Sequence, residues 1–507
     1  MPEEAINLKV MFRYAQDHLD LATAVALIQG KGCGTINEKE RRRIRYSRGH
    51  VISMLKEDRS IYGINTGFGP LCDTKIKLDA TRQLQRNLLL SHAVGVGQPI
   101  SKQISKLMLI CKLQALSKAY SGVREELIDR IQLFLANDWI PVVPEQGSVG
   151  ASGDLAPLAH LFLPLIGEGE FWIDGKIIPA YQVLKNHDIQ PLQLEAKEGL
   201  ALINGTQFIL AHTIIGLDKM RYLLDLADLA GAMSLDAFQG SLAPFKAALH
   251  ELRPFAGTQL VAKRIRALLQ DSEIMQAHAN CNRVQDPYSM RCIPQVHGAS
   301  RNAWQHLKDL AEIELNSITD NPIILNAKEA ISGGNFHGQP LALALDYCSL
   351  AAAELGNISD RRSYLLLEGK NGLPRMLTAE DGLNSGLMIP QYTTAALVTE
   401  NKSLCFPPSA DSIPTSLGQK DHVSMGRIST RKFNQILGNL EKILAIELLY
   451  VAQGIDFRRP LKSSAIIEEN HSIIRQRVTK LNEDRLLKED IKEMIALVQE
   501  RKLIVTT

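Results

Sequence analysis

Helical periodicity constrains this chain more than any other feature. From Ile428 to Val451 the apolar residues Phe433, Ile436, Leu437, Leu440, Ile443, Leu444 and Leu448 recur three and four positions apart, the signature of one buried helix face. Leu341 to Ile358 is apolar almost all round and predicts a helix buried on every side. Tyr222 to Met233 reads the same way. Helices of this length packed side by side predict a mainly α fold, an elongated helical bundle. Strand signal is confined to Glu170–Pro179, a small β-hairpin turning at Asp174-Gly175. Aromatic residues make up only 5% of the chain, which favours helix over sheet. From Ser464 onward the sequence is charged, amphipathic and free of Gly and Pro, and predicts surface helix. A compositional boundary near residue 195 divides a loop-rich N-terminal region (1–195) from a long-helix bundle with C-terminal helices (196–507).

At 507 residues the chain is too long for one ordinary core. Its 57 basic and 55 acidic residues leave a net charge of +2, so charge gives no reason to expect nucleic acid or an anionic membrane as a partner. The most apolar stretches carry Pro or ionisable residues such as His160 and Pro164, or Asp346 and Glu354. None reads as a clean membrane span. The opening Met-Pro-Glu-Glu lacks the basic and apolar segments of a signal peptide, and a cytoplasmic protein is expected. The seven cysteines, Cys33, Cys72, Cys111, Cys281, Cys292, Cys348 and Cys405, are widely spaced with no CxxC pair. This argues against a disulfide framework or a structural zinc site, and most are expected to be buried small hydrophobes. His160, His297, His337 and His422 are scattered without an i, i+4 pair, so no metal is expected.

Several islands rich in Gly, Asn and Pro break the helical rhythm, and loops on a rigid scaffold are where chemistry concentrates. Tyr62-Gly-Ile-Asn-Thr-Gly-Phe-Gly reads as a mobile loop and fits no phosphate-binding fingerprint. Ser91-His92 follows. Gly147 to His160 is dense in small residues, which let the backbone fold tightly on itself. The simplest local role for Ser152 or Asp154 is to cap the helix that follows. Asn204-Gly-Thr-Gln stands at the start of an apolar helix, where capping is again the simplest role. In Gln285-Asp-Pro-Tyr288-Ser-Met-Arg291 the arginine is either a bidentate carboxylate clamp or a surface ion pair. Ser332 to Gly338 and Gly418 to Ser424 are of the same type.

Taken together, these islands resemble the aromatic amino acid ammonia-lyases, and among them the histidine ammonia-lyases most closely. The matching segments are Tyr62 to Gly69, Ser91-His92, Gly147 to His160, Asn204 to Gln207, Gln285 to Arg291, Gly333 to His337 and Asp421 to Met425, in family order over nearly the whole chain. The resemblance implies the helical ammonia-lyase/fumarase–aspartase-like fold and a homotetramer with active sites shared among three subunits. Tyr62, His92, Asn204 and the cofactor segment would come from one chain, Gln285, Tyr288 and Arg291 from a second, and Phe336 from a third. It implies non-oxidative deamination of L-histidine to trans-urocanate and ammonia, the first step of histidine degradation.

It also implies a self-made electrophile, 4-methylidene-imidazol-5-one. The amide nitrogen of Gly153 attacks the carbonyl of Ala151, two waters leave, and Ser152 becomes the methylidene. No metal or soluble cofactor is implied. Such a group answers a chemical need: ordinary side chains are nucleophiles or acids, while the amine is a poor leaving group and the β-hydrogen is barely acidic. Closure needs a compressed backbone, and Gly153 has no Cβ to obstruct it. By the same carry-over Tyr62 is the base for the β-proton, which requires activation from its ordinary pKa of about 10. Arg291 clamps the substrate carboxylate. Asn204 and Tyr288 polarise the cofactor and orient the amine. Phe336 packs over the cofactor, and His92, Gln285 and Lys420 line the substrate.

Lys420 departs from the pattern. In most histidine enzymes of the family Gln-Glu-Asp-His-Val-Ser is expected where this chain has Gln419-Lys420-Asp421-His422-Val423-Ser424. An ammonium facing the ring would repel imidazolium and prefer a neutral or anionic ring. The alternative reading is therefore a tyrosine or other aromatic amino acid ammonia-lyase or 2,3-aminomutase of the same cofactor class. Two more distant alternatives are a fumarase–aspartase-type lyase, whose GSSxxPxKxN signature is absent, and a scaffold that lost activity. The intact Ala151-Ser152-Gly153, Tyr62 and Arg291 argue against the scaffold.

Overall fold

The computed structural model describes residues 10–56, 60–279 and 283–505. The three periodic segments each lie inside one long helix, Gln207–Phe238, Gln339–Leu367 and Gly426–Asp456, with the 23-residue helix Ile293–Leu315 as a fourth. The residues picked out from periodicity between Phe433 and Leu448 are buried. Gln339–Leu367 is apolar and long enough to cross a membrane, but 72% of its apolar window is buried within the protein, as in a core helix of a globular protein.

The described residues fall into two compact units by contact: one drawn from within 1–215, 308–345 and 407–431, the other from within 216–307, 346–406 and 432–507. The compositional boundary near 195 falls inside the first unit, because sequence-distant segments are recruited into each. In the first unit the helices Thr81–His92, Leu155–Phe162 and Glu198–Ile203 pack pairwise on one another, so three helix ends converge.

The second unit buries a charge network. Arg362 makes a two-pronged contact with Glu447 at 2.5 and 2.8 Å, and Ser234 and Ser359 donate to the same carboxylate. His297 Nδ1 stands 2.8 Å from Asp228, which also accepts from Arg264 and Arg301. The acidic and basic side chains of this network are thus paired with one another, as burial demands.

The hairpin forms as expected, with strands Glu170–Ile173 and Lys176–Pro179 antiparallel and both turn residues left-handed, Asp174 at φ 48° and Gly175 at φ 75°. It is not the sole strand structure. Val10–Arg13 pairs with Gly32–Thr35, Val96–Pro99 with Pro144–Gln146 and Ile323–Asn326 with Glu329–Ile331, while Ile140–Pro141 joins the hairpin. These strands are two to four residues long, too short for alternation to register in the sequence. The C-terminal segment forms helices Ala465–Arg477, capped by Ser464, and Leu487–Gln499. Of the six described cysteines only Cys111 and Cys348 are buried. The expectation that most would be is corrected: Cys33 lies on a short exposed strand, and Cys72, Cys292 and Cys405 are half-buried. Cys281 lies outside the described residues.

Candidate active site

The Ala-Ser-Gly turn is held in a conformation that few sequences tolerate. Ser152 is left-handed at φ 55°, rare for a residue with a side chain, and the flanking Gly150 and Gly153 are left-handed at 82° and 80°. A Cβ on Gly150 would lie 2.4 Å from Ser424 Oγ, and one on Gly153 only 2.2 Å from the backbone oxygen of Gly205. Val149 accepts from the Met425 N–H, which pins the front of the loop.

Asp154 pins the back. Its N–H donates to Gly205 O at 2.7 Å, and its carboxylate accepts from the N–H groups of Phe208 and Ile209 at 2.9 and 3.0 Å. Local capping was expected here. Instead Asp154 makes no side-chain cap on the helix it precedes, Leu155–Phe162, and caps Gln207–Phe238. Complete burial pushes its carboxyl up to about 7 despite the Ile209 N–H, Arg427, the Phe208 N–H and Lys112, all of which favour the anion. Asn204 does not cap that helix either; its side chain turns back to Leu200 O at 3.1 Å.

A cavity of about 200 Å³ opens beside this loop. Tyr62, His92, Ser152, Asn204, Ser416 and Lys420 supply its polar lining, and Leu88, Leu155, Leu200 and Ile203 part of its apolar wall. The three converging helices explain the assembly: His92 ends one, Leu155 begins the next, and Asn204 follows the third.

Tyr62 is half-buried, with its ring edge-on to Phe68 at 6.3 Å. Burial raises its phenol, opposed by a hydrogen bond from the Gly69 backbone and reinforced by Cys72. Burial and the nearby Lys420 charge lower the His92 imidazole, and Ser91 Oγ sits 3.0 Å from its Nδ1. Burial also lowers Lys420, which forms no ion pair among the described residues. The cavity lining thus holds an ammonium and an imidazole but no carboxylate. Larger clefts of about 500 and 300 Å³ gather no such set; in the first, Arg82 and Arg86 are already paired with Glu195 and Glu168.

Ala151 is half-buried beside Ser152. Phe336 is half-buried in the loop before Gln339–Leu367 and lies outside the cavity lining. In the second unit, Gln285, Tyr288 and Arg291 form their own cluster around the one-turn helix Tyr288–Arg291. Arg291 donates to Gln285 Oε1 at 2.9 Å and lies 4.6 Å from the centre of the Tyr288 ring, which is 72% exposed. The arginine makes no ion pair among the described residues.

Two contributors escaped the sequence reading. Lys112 is wholly buried behind Asn204, and Arg427 lies over the Phe208 ring at 4.9 Å. An isolated Lys within Leu107–Leu116 was the available signal. The histidines play other parts. His160 accepts from the Gly95 N–H, His297 belongs to the buried charge network, and His337 stacks on His422 at 5.8 Å. Among the described residues no group of three or more His, Cys, Asp or Glu side chains gathers to hold a metal ion.

The sequence profile of the family described as aromatic amino acid lyase matches residues 19–476. A histidine ammonia-lyase of Sorangium cellulosum is 49% identical over 453 residues, 88% of each chain. The solved histidine ammonia-lyase of Trypanosoma cruzi is 39% identical, with a TM-score of 0.89 over 97% of this chain and 94% of that one. The tyrosine aminomutase of Streptomyces globisporus is 32% identical, with a TM-score of 0.92 over 97% and 98%. Helical fold and sequence kinship together define a carbon–nitrogen lyase. The chain belongs to the aromatic amino acid lyase family.

Proposed function

We propose that this protein deaminates L-histidine to trans-urocanate and ammonia, using a 4-methylidene-imidazol-5-one formed from Ala151, Ser152 and Gly153. The reading includes a cytoplasmic homotetramer with sites shared between subunits and no metal or soluble cofactor. The observation that carries it is the left-handed Ser152–Gly153 turn, pressed on Gly205 and facing a cavity lined by Tyr62, His92 and Asn204. The fit is physical: a Cβ on Gly153 would fill the space against Gly205, and both ends of the loop are tied to other segments. Kinship with named histidine ammonia-lyases supports the substrate.

When formed, the group supplies an electrophilic methylene carbon to the substrate amine. The chain's own residues do the rest. Tyr62 takes the β-proton on its phenol oxygen. Burial opposes its ionisation within this chain, so the activating positive charge is assigned to the assembled site. Asn204 and Tyr288 orient the amine, and Arg291 binds the carboxylate through parallel hydrogen bonds, exchanging its Gln285 contact for the substrate. Phe336 covers the site. The imidazole side chain meets His92 and Lys420, and the neutral ring is the form these residues accept.

Lys420 also favours a second reading, a tyrosine or other aromatic amino acid lyase or 2,3-aminomutase, because no carboxylate lines the cavity to hold imidazolium. Subunit complementation tests the shared site. Tyr62→Phe and Arg291→Met proteins, each inactive alone, should regain a fraction of wild-type activity when co-assembled. Mixed tetramers as inactive as either parent would contradict shared sites.

A further inference from the structure

Lys112 lies on the helix Lys102–Ser117 among Leu107 to Leu116, all of them buried. Its ammonium donates to Asn204 O at 2.5 Å and Ala201 O at 3.1 Å. It forms no ion pair among the described residues, and Asp320, which its charge feels, is bound to Lys197 at 2.6 Å. Burial drives its pKa down to about 7, opposed by Asp320 and Asp154 and aided by Lys197. An apolar side chain would fill this place without the cost of burying an ammonium, so the contacts made by the charge call for an explanation.

Those contacts end the helix Glu198–Ile203, whose last carbonyls lack helical partners and carry partial negative charge. Holding Asn204 O fixes the planar peptide that joins Asn204 to Gly205. Gly205, at φ 126°, then presents its own carbonyl to the Asp154 N–H and stands directly behind Gly153. Lys112 therefore holds, through one peptide plane, the wall against which the Ala151-Ser152-Gly153 turn is pressed.

We propose that Lys112 is a positioning residue for the cyclisation of Ala151-Ser152-Gly153, acting through the Asn204 and Gly205 peptides. This rests on the reading that the ring forms. The bond made joins the Gly153 nitrogen to the Ala151 carbonyl carbon. The Ala151 oxygen leaves as water with the Gly153 and Ser152 amide hydrogens, and the Ser152 hydroxyl leaves as water with its α-hydrogen. No oxidant or further reactant is needed. Lys112 touches none of these atoms. It keeps the turn at attack distance, where displacements near 1 Å cost about a hundredfold in rate.

The test follows denatured intact mass over time in the full-length chain, for wild type, Lys112→Met, Lys112→Gln and Lys112→Arg, with circular dichroism to establish folding. The wild type should be lighter by two waters. Folded Lys112→Met, or Lys112→Gln if the first does not fold, should lose them at least about tenfold more slowly. Lys112→Arg, which can still donate to both carbonyls, should recover most of the rate. Water loss at the wild-type rate in the folded neutral variants overturns the proposal, as does a folded Lys112→Arg no faster than they are. A wild-type chain that keeps both waters refutes ring formation itself, and this inference with it.

Discussion

Gly153→Ala separates two costs that glycine avoids. Gly153 and Gly175 have nearly the same left-handed φ, 80° and 75°. A Cβ at Gly175 meets nothing within 4 Å, whereas one at Gly153 meets the Gly205 oxygen at 2.2 Å, its carbon at 2.7 Å and its nitrogen at 2.9 Å. Gly175→Ala therefore costs only the left-handed conformation, roughly 1–2 kcal/mol. Gly153→Ala adds an overlap with backbone, which no rotamer can relieve. Relief requires Gly153 and Gly205 to separate by about 1 Å in a close-packed interior. The same separation takes the Gly153 nitrogen out of attack range, so ring formation should fall on the order of a hundredfold. Thermal melting and denatured intact mass on both variants check this. Gly175→Ala should melt slightly lower with complete loss of two waters; Gly153→Ala should keep most of its water. A Gly153→Ala chain that loses both waters as fast as Gly175→Ala would refute the close-approach argument.

Other consequences are as direct. Asp154→Ala strands the buried N–H groups of Phe208 and Ile209 and should cost on the order of 2 kcal/mol or more, read as a lower denaturant midpoint. Burial alone would raise Asp228, but Arg301, His297 and Arg264 hold it below the usual 3.8. Its stabilisation is thus present above that value and lost as pH falls through the depressed one, so Asp228→Asn should flatten the acid limb of a melting-versus-pH curve. Lys420→Glu should raise the His92 pKa, followed by NMR titration, and lower KM for L-histidine most below pH 6.5, where imidazolium predominates.

The long helices were legible because periodicity survives over many turns: Phe433, Ile436, Leu440 and Leu444 repeat one face often enough to be read. The site was legible only as islands. Tyr62, His92, Ser152, Asn204 and Lys420 share a cavity that no local pattern encodes, since three helix ends must meet to form it. Asp154 shows where local reasoning fails. Its neighbours make it a cap for the helix it precedes, yet the bare N–H groups it satisfies belong to Phe208 and Ile209, more than fifty residues later. Lys112 was hidden by its surroundings, because a lone Lys in an apolar helix has the same sequence whether it reaches solvent or holds two buried carbonyls. The short strands lay below the length at which alternation carries information.

Histidine deamination is checked by ultraviolet absorbance of purified protein mixed separately with L-histidine and L-tyrosine, with Ser152→Ala as control. Urocanate should form from histidine with the wild-type protein and not with the control. Coumarate from tyrosine with no urocanate would contradict the histidine assignment, and no product from either would contradict the deamination chemistry itself.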